Sequence, residues 1–311
     1  VAGLCSYQKM ESSWQEQREY VENAVKALPA PWKEEAEKRL ALLRPQQPAA
    51  CAVPIGEREF IINGYQVQVE QDGSLRLNSY NGKVYENVWL GRLVYEIFGA
   101  KTVFDNLEAY NRELEHTRVW AEGDFSKPGL DKVSNLKDTA YSYRVDQAEQ
   151  SGNQLRLWLV TDEEAGERFG APRLAVVTYT FGERVEIDLQ WFQKDENRIP
   201  EGLFFGMNLN YRQGEPVTLF KLDLPIDPYH VREGGNRKLH VSPRISGGCG
   251  EIRSLHAPLV SVGGRHLYDE NENYGNPADG MYYLLCNNRW GTNFPLWYGE
   301  NARFGFTVEL N

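Results

Sequence analysis

The chain has 311 residues, enough for one large domain or two modest ones around a sizeable core. Hydrophobic residues make up 41% and charged residues 25%, a globular balance that excludes a disordered chain. A formal net charge of −10 argues against general nucleic-acid binding, which needs clustered Lys and Arg, and no apolar run is long enough to span a membrane.

The chain opens at Val1 without a basic-then-apolar leader, so either a leader has been removed or this is the tail of a longer polypeptide. Ser13 to Glu16 fits a capping box that starts a helix. Trp14, Val21, Ala24, Val25 and Leu28 share one helical face, and Pro29 stops it. Pro31 opens a second helix striped by Trp32, Ala36, Leu40 and Leu43, which ends at Arg44-Pro45. A hairpin this small cannot bury its own stripes and needs something to dock on. Prolines 45, 48 and 54 with Gly56 make a connector, which divides the chain into a helical segment, 1–50, and a β region, 55–311.

Beyond the connector the period becomes two. Gln66 to Val69 alternates, Asp72-Gly73 turns, and Leu75 to Leu77 alternates back as a hairpin. Further strands are expected at Leu155 to Thr161, Leu174 to Phe181, Arg184 to Phe192, Leu219 to Leu224, Gly250 to Ser254, Met281 to Cys286 and Phe304 to Leu310. Residues 105–138 are polar and poorly periodic, and read as long loops or irregular edge strands. No repeat of 20 to 50 residues is present. The expected architecture is a helical hairpin followed by a large antiparallel β-sandwich.

The usual catalytic signatures are missing. Five histidines show no metal-ligand spacing, no G-x-S-x-G occurs, and Gly247-Gly248 and Gly263-Gly264 fall in turns without a following helix. Cys5, Cys51, Cys249 and Cys286 are scattered; isolated buried thiols are the simpler reading, with two disulfides the alternative. Carboxylates are plentiful at Asp195-Glu196, Glu201 and Asp269 to Glu272, and each group reads first as solvated loop charge.

Aromatic residues reach 12%, and Trp158 and Trp191 suit a sandwich core. The densest polar-aromatic stretch is Cys286 to Tyr298, with three Asn, one Arg and four aromatics. Ring faces that stack beside amides and guanidinium groups suit sugars, although a packed corner of the sandwich would have the same composition.

Within that stretch, Asn287-Asn288-Arg289-Trp290-Gly291-Thr292-Asn293-Phe294 resembles a motif near the C-terminus of proteins related to glycoside hydrolase family 38, the α-mannosidase-like enzymes. Trp191 to Asp195, Arg198-Ile199-Pro200-Glu201, Asp227-Pro228, Gly235-Asn236-Arg237, Leu239-His240 and Ala257 to Val260 follow the pattern of the same group in order, and Trp14 to Tyr20 resembles its helical linker. The resemblance covers nearly the whole chain. It implies a helical-bundle remnant and a galactose-mutarotase-like β supersandwich, with the catalytic domain upstream. That domain would hold the zinc and the nucleophilic aspartate in an early His-x-Asp motif, which has no counterpart here, so no cofactor is expected in this chain. His256 stands where the group's pattern leads one to expect an acid, which weakens a catalytic role there.

The expected function is therefore the C-terminal β-sandwich portion of a family-38-like glycoside hydrolase, with carbohydrate and the upstream catalytic domain as partners, and neither nucleic acid nor membrane. Asn236, Arg237, His240, Asn288, Arg289, Trp290, Asn293 and Trp297 are the candidates to face sugar or the catalytic domain. The alternatives are a stand-alone carbohydrate-binding module and a mutarotase- or lyase-like enzyme in which Tyr229, His230 and His240 converge. The sugar, the compartment and the oligomeric state are not set by the sequence.

Overall fold

The computed structural model describes residues 7–49, 56, 58–111, 118–269, 273–291 and 295–311. The chain divides into two compact units, Val1–Gln46 and Gln47–Asn311. Two helices make up the described part of the first, α1 (Tyr7–Lys26) and α2 (Ala30–Leu43). Helix α1 begins well before the expected capping box, so Ser13 lies inside it; the good helix formers Gln8, Lys9, Met10 and Glu11 carry the helix upstream. Pro29 takes the N-cap position of α2, and a proline occupies its first turn, where the missing N–H costs nothing. Val21, Leu28, Trp32, Leu40 and Leu43, all from the two expected stripes, are exposed.

The second unit opens with β1 (Glu59–Ile62), β2 (Tyr65–Val69), β3 (Leu75–Tyr80), β4 (Lys83–Val84) and β5 (Val88–Ile97). Helices α3 (Ala100–Asn111) and α4 (Arg118–Phe125) follow, then β6 (Thr139–Ser142), β7 (Arg144–Ser151) and β8 (Gln154–Val160). Helix α5 (Glu163–Phe169) leads to β9 (Leu174–Phe181), β10 (Val185–Phe192) and β11 (Glu201–Leu209). Next come β12 (Val217–Lys221), β13 (Leu224–Ile226), β14 (Leu239–Val241), β15 (Arg244–Gly247) and β16 (Gly250–Ser254). The last are β17 (Leu259–Val262), β18 (Met281–Asn287) and β19 (Ala302–Leu310).

Among the described residues the strands form two antiparallel sheets, as the sequence pattern leads one to expect. The ten-stranded sheet runs β1-β2-β3-β5-β11-β18-β17-β14, with β4 on β3 and β6 on β5. The nine-stranded sheet runs β13-β12-β15-β16-β19-β10-β9-β8-β7. Their facing sides share one core, in which Leu203, Phe205, Met207 and Leu209 of β11 meet residues such as Val177, Ile187, Leu189, Phe306 and Val308. Burying each such side chain contributes roughly 1.5–3 kcal/mol. The product is a β-sandwich.

Three expectations need correction. Residues 105–138 hold helical structure: α3 from residue 100, α4, and a short helical turn at Leu130–Lys132. Val103, Leu107 and Asn111 of α3 are buried one turn apart, a stripe too narrow to stand out in a polar segment. Leu219 to Leu224 is not one strand. Leu222 and Asp223 both take positive φ, 50° and 63°, and fold it into the hairpin of β12 and β13. Glu201, read as solvated charge, is 1% exposed at the start of β11.

Cys249 and Cys286 are free, half-buried thiols, whereas Cys5 and Cys51 lie outside the described residues. No helix among the described residues is long and apolar enough to cross a membrane.

Candidate functional site

Each strand of the ten-stranded sheet turns alternate residues away from the shared core, and the outward set is unusually aromatic. Phe204, Leu267, Tyr282 and Leu284 form a second buried cluster there, with Trp89, Phe98, Leu239, Leu259, Tyr268 and Trp290 packed around it. Two glycines make this arrangement possible. A Cβ on Gly206 would stand 2.4 Å from the Tyr282 ring, so only glycine lets that ring lie flat against β11. Gly91 has φ +84° beside the point where the β5–β11 register shifts, and this bulge helps set Arg92 on the outer face rather than in the core.

Two ion pairs bracket the aromatic floor. Arg92 Nε donates to Asp72 Oδ2 at 2.7 Å, and its guanidinium lies 4.2 Å over the Trp89 ring. Arg265 Nε donates to Glu96 Oε1 at 2.6 Å and lies 5.5 Å over Tyr282, whose ring centre is 6.0 Å from that of Trp89. The two carboxyls differ in character. Burial works to raise Asp72, but hydrogen bonds from Ser74 Oγ and N, followed by Arg92, hold it below its ordinary value. Burial dominates at Glu96 and raises it despite Arg265. Beside Trp89 and Arg92 the surface opens into a depression of about 700 Å³, lined also by Glu70, Asp72, Arg76, Asn78 and Asn87. The depression places the half-buried Trp89 ring beside both hydrogen-bond donors and acceptors.

The opposite end of β5 and β11 is closed. Glu201 Oε2 accepts from Lys194 Nζ at 2.9 Å, and the Tyr95 hydroxyl stands 2.6 Å away, with the Lys194 and Glu201 side chains 0% and 2% exposed. Burial pushes the Glu201 carboxyl above its ordinary range, against the pull of Lys194 and the Tyr95 bond. Asn288 spends its whole amide here: Oδ1 accepts from Glu201 N at 2.9 Å, while Nδ2 donates to Asn197 O at 3.1 Å and Ile199 O at 2.9 Å. Lys127, also buried, donates to the Asn288 carbonyl. Its burial, with Arg198 adding to the effect, brings it down to about 8.

The residues singled out in the sequence fall into two groups around the 265–269 loop. Asn288, Arg289 and Trp297, expected to face sugar or the catalytic domain, are instead buried within the sandwich. Arg289 donates to Leu267 O and, at 3.1 Å, to Asn106 Oδ1, so it ties α3 and the loop to the end of β18. Arg198 lies 5.8 Å over the Trp297 ring. Trp290 is half-buried against the outer-face aromatic cluster, and Asn293 lies outside the described residues.

In the other group, exposed Asn236 Oδ1 accepts from Lys238 N and Leu239 N. Arg237 lies 5.1 Å over Tyr274, and Lys238 pairs with Asp269. His240 faces the shared core, because its register partner is Val260; burial, and then Lys221, lower it. Tyr229, His230 and His240 share no hydrogen bond, and of the three only Tyr229 lines the cleft formed by the β11–β12 loop, β12 and residues 274–277. Among the described residues no group of three His, Cys, Asp or Glu side chains is placed to hold a metal ion. Trp89, Arg92, Glu96 and Arg265 escaped the sequence reading. The one available signal was Trp and Arg at adjoining outward positions of a strand.

Residues 2–188 match the family described as Domain of unknown function (DUF5054). No curated protein matches the chain in sequence. Among solved structures the chain is similar to an α-mannosidase from Enterococcus faecalis V583, at 10% identity over 82% of this chain and 29% of that one, with a TM-score of 0.48. A second protein, in glycosyl hydrolase family 38 from Enterococcus faecalis, is 11% identical over 86% and 32% of the two chains, with a TM-score of 0.45. A galactose mutarotase-like protein from Lactobacillus casei ATCC 334 is 10% identical over 83% of this chain and 100% of its own, with a TM-score of 0.42. The chain spans less than a third of the length of either enterococcal protein.

Proposed function

Because this chain belongs to the DUF5054 family, whose description assigns no activity, we propose its role from its geometry: it is the β-sandwich portion of a family-38-like glycoside hydrolase and contacts carbohydrate on the outer face of its ten-stranded sheet. The observation that carries this reading is the depression lined by Trp89, Tyr85, Arg92 and Asp72, in which the Asp72–Arg92 ion pair stands beside the Trp89 ring. The ordered likeness of the motifs from Trp14 to Phe294 supports the family-38 part of the reading. Exposed Val21, Trp32, Leu40 and Leu43 on the helical unit support a protein partner, proposed to be the catalytic domain of the same polypeptide.

The role assigned to the sandwich is binding. Asp72 and Glu96 are each held by an arginine at 2.7 and 2.6 Å, so neither is disposed as the nucleophile of glycoside hydrolysis. The zinc and carboxylates of the reaction would belong to the catalytic domain. A stand-alone carbohydrate-binding module would use the same floor, and it would bind without any associated hydrolysis.

Tryptophan fluorescence of the chain, titrated with α-mannosides and neutral disaccharides, tests the proposal. A saturable change is expected. Trp89→Ala should weaken binding about tenfold in a chain that circular dichroism shows to remain folded. Undiminished binding by Trp89→Ala, or no saturable response from the parent, would overturn it.

A further inference from the structure

Two-residue turns with positive φ at both positions join three hairpins among the described residues. Asn63-Gly64 links β1 to β2 and Asn81-Gly82 links β3 to β4, and both residue types reach the left-handed region readily. The turn from β12 to β13 uses Leu222-Asp223 instead. Leucine has no polar side chain to support that conformation, so Leu222 is strained where asparagine would not be. Its side chain is also 96% exposed, and that of Leu224 beside it is 65% exposed. Strain and exposure thus fall on one side chain, and both are offset when that side chain is buried against another surface.

The base of the same hairpin supplies one wall of an apolar cleft of about 640 Å³. Val217, Pro225 and Ile226 line it with Pro216 and Pro277, and neither leucine of the tip is part of it. Asn208 of β11 bonds Ala278 O at 2.8 Å and Tyr211 N at 3.1 Å, which ties the flanking segments to one strand. Clefts of about 300–1,000 Å³ enclose a drug-sized ligand, so this one has room for two leucine side chains. From Thr218 in the cleft to Leu222 at the tip the strand advances about 13 Å, at about 3.3 Å per residue.

Knob and cleft on one hairpin suit a second copy of this chain. Two hairpins set head to tail beside each other bring each tip to the base of the other, so one two-fold axis satisfies both contacts and closes the assembly. Strand β13 ends the nine-stranded sheet, and Pro225 within it has no N–H to offer. A regular ladder is therefore not extended there, and contact falls to side chains. The charges are complementary too. Lys221 and Asp223 at the tip carry one charge of each sign, as do Asp227 in the lining and Arg237 over the Tyr274 ring that lines it. We infer that the chain forms a two-fold homodimer in which each copy seats Leu222 in the cleft of the other, with Leu224 against the rim. The inference is independent of the outer-face depression, which shares no lining residue with this cleft.

Sedimentation equilibrium of the full chain tests it. The parent should reach twice the chain mass, with a dissociation constant of about micromolar order. Changing Leu222→Asn together with Asp223→Gly gives this turn the Asn-Gly of the other two. It should weaken dimerisation at least about tenfold, with a melting temperature no lower than the parent's at dilutions where the parent is monomeric. Thr218→Trp, which fills the cleft, should weaken it similarly. An equal mixture of the two variants should pair more tightly than either does with itself, because one of the two contacts is then intact. A parent monomeric up to about 1 mM, a dimer indifferent to the turn change, a mixture without heterodimer, or a mass that keeps growing with concentration would overturn the inference.

Discussion

The two ends of β5 and β11 use the same kinds of residue to opposite effect. At one end Lys194, Glu201, Asn288 and Arg289 bond to each other and to backbone carbonyls, and water is excluded. At the other, Trp89, Arg92 and Asp72 remain half-open beside a depression, with hydrogen-bonding capacity facing solvent. The composition of a stretch therefore says little about whether it recognises anything. What separates a site from a polar plug is whether neighbouring backbone has already claimed its donors and acceptors.

The comparison is broken most forcefully at the closed end. Lys194→Met leaves Glu201 buried without its cation and should cost about 3–5 kcal/mol in denaturant unfolding; adding Glu201→Leu should return much of that loss. Lys127 gives a smaller effect that depends on pH. Its ordinary value of 10.5 falls to about 8 in the folded chain, so between those values the unfolded state binds the extra proton and stability rises with pH. Relative to Lys127→Met, the parent should thus gain up to about 3 kcal/mol between pH 8 and 10.5, measured by paired unfolding curves. If the difference is flat with pH, the buried ammonium is not desolvated as described. The smallest effect sharpens the contrast. Asp195 also follows Lys194 in the loop, but it pairs with Arg173 in the open, and Asp195→Asn should change stability by less than about 1 kcal/mol.

Much of the nine-stranded sheet was legible because its strands alternate. Leu174 to Phe181 and Arg184 to Phe192 match β9 and β10 almost to the residue. The centre of the ten-stranded sheet was not. All nine residues of β11 are buried, since the aromatic cluster covers its second face, so Glu201–Leu209 carries no period of two. Strand β5 is obscured in the same way, with the Gly91 bulge breaking its rhythm. The candidate site suffered for that reason, because Trp89, Arg92 and Glu96 lie on the strand that went unrecognised.

The 286–298 stretch drew attention through its composition, and four of its five candidate residues proved buried or lay outside the described residues: Asn288, Arg289, Asn293 and Trp297. That leaves Trp290 at the edge of the aromatic cluster. Whether an Arg or Asn is saturated depends on carbonyls more than 20 positions away, at Leu267 and Asn197, and that is not written locally.

Strand β19, the last of the order, lies between β16 and β10 near the middle of its sheet. Until Ala302–Leu310 arrives, a chain emerging from the ribosome carries two half-sheets whose inner edges are unpaired and open to other strands. Closing that gap joins segments more than 100 residues apart, which marks the sandwich as a slow folder with high contact order. Asn311, whose carbonyl receives the Lys83 ammonium and the Tyr85 hydroxyl and whose N–H reaches Cys249, then latches the seam.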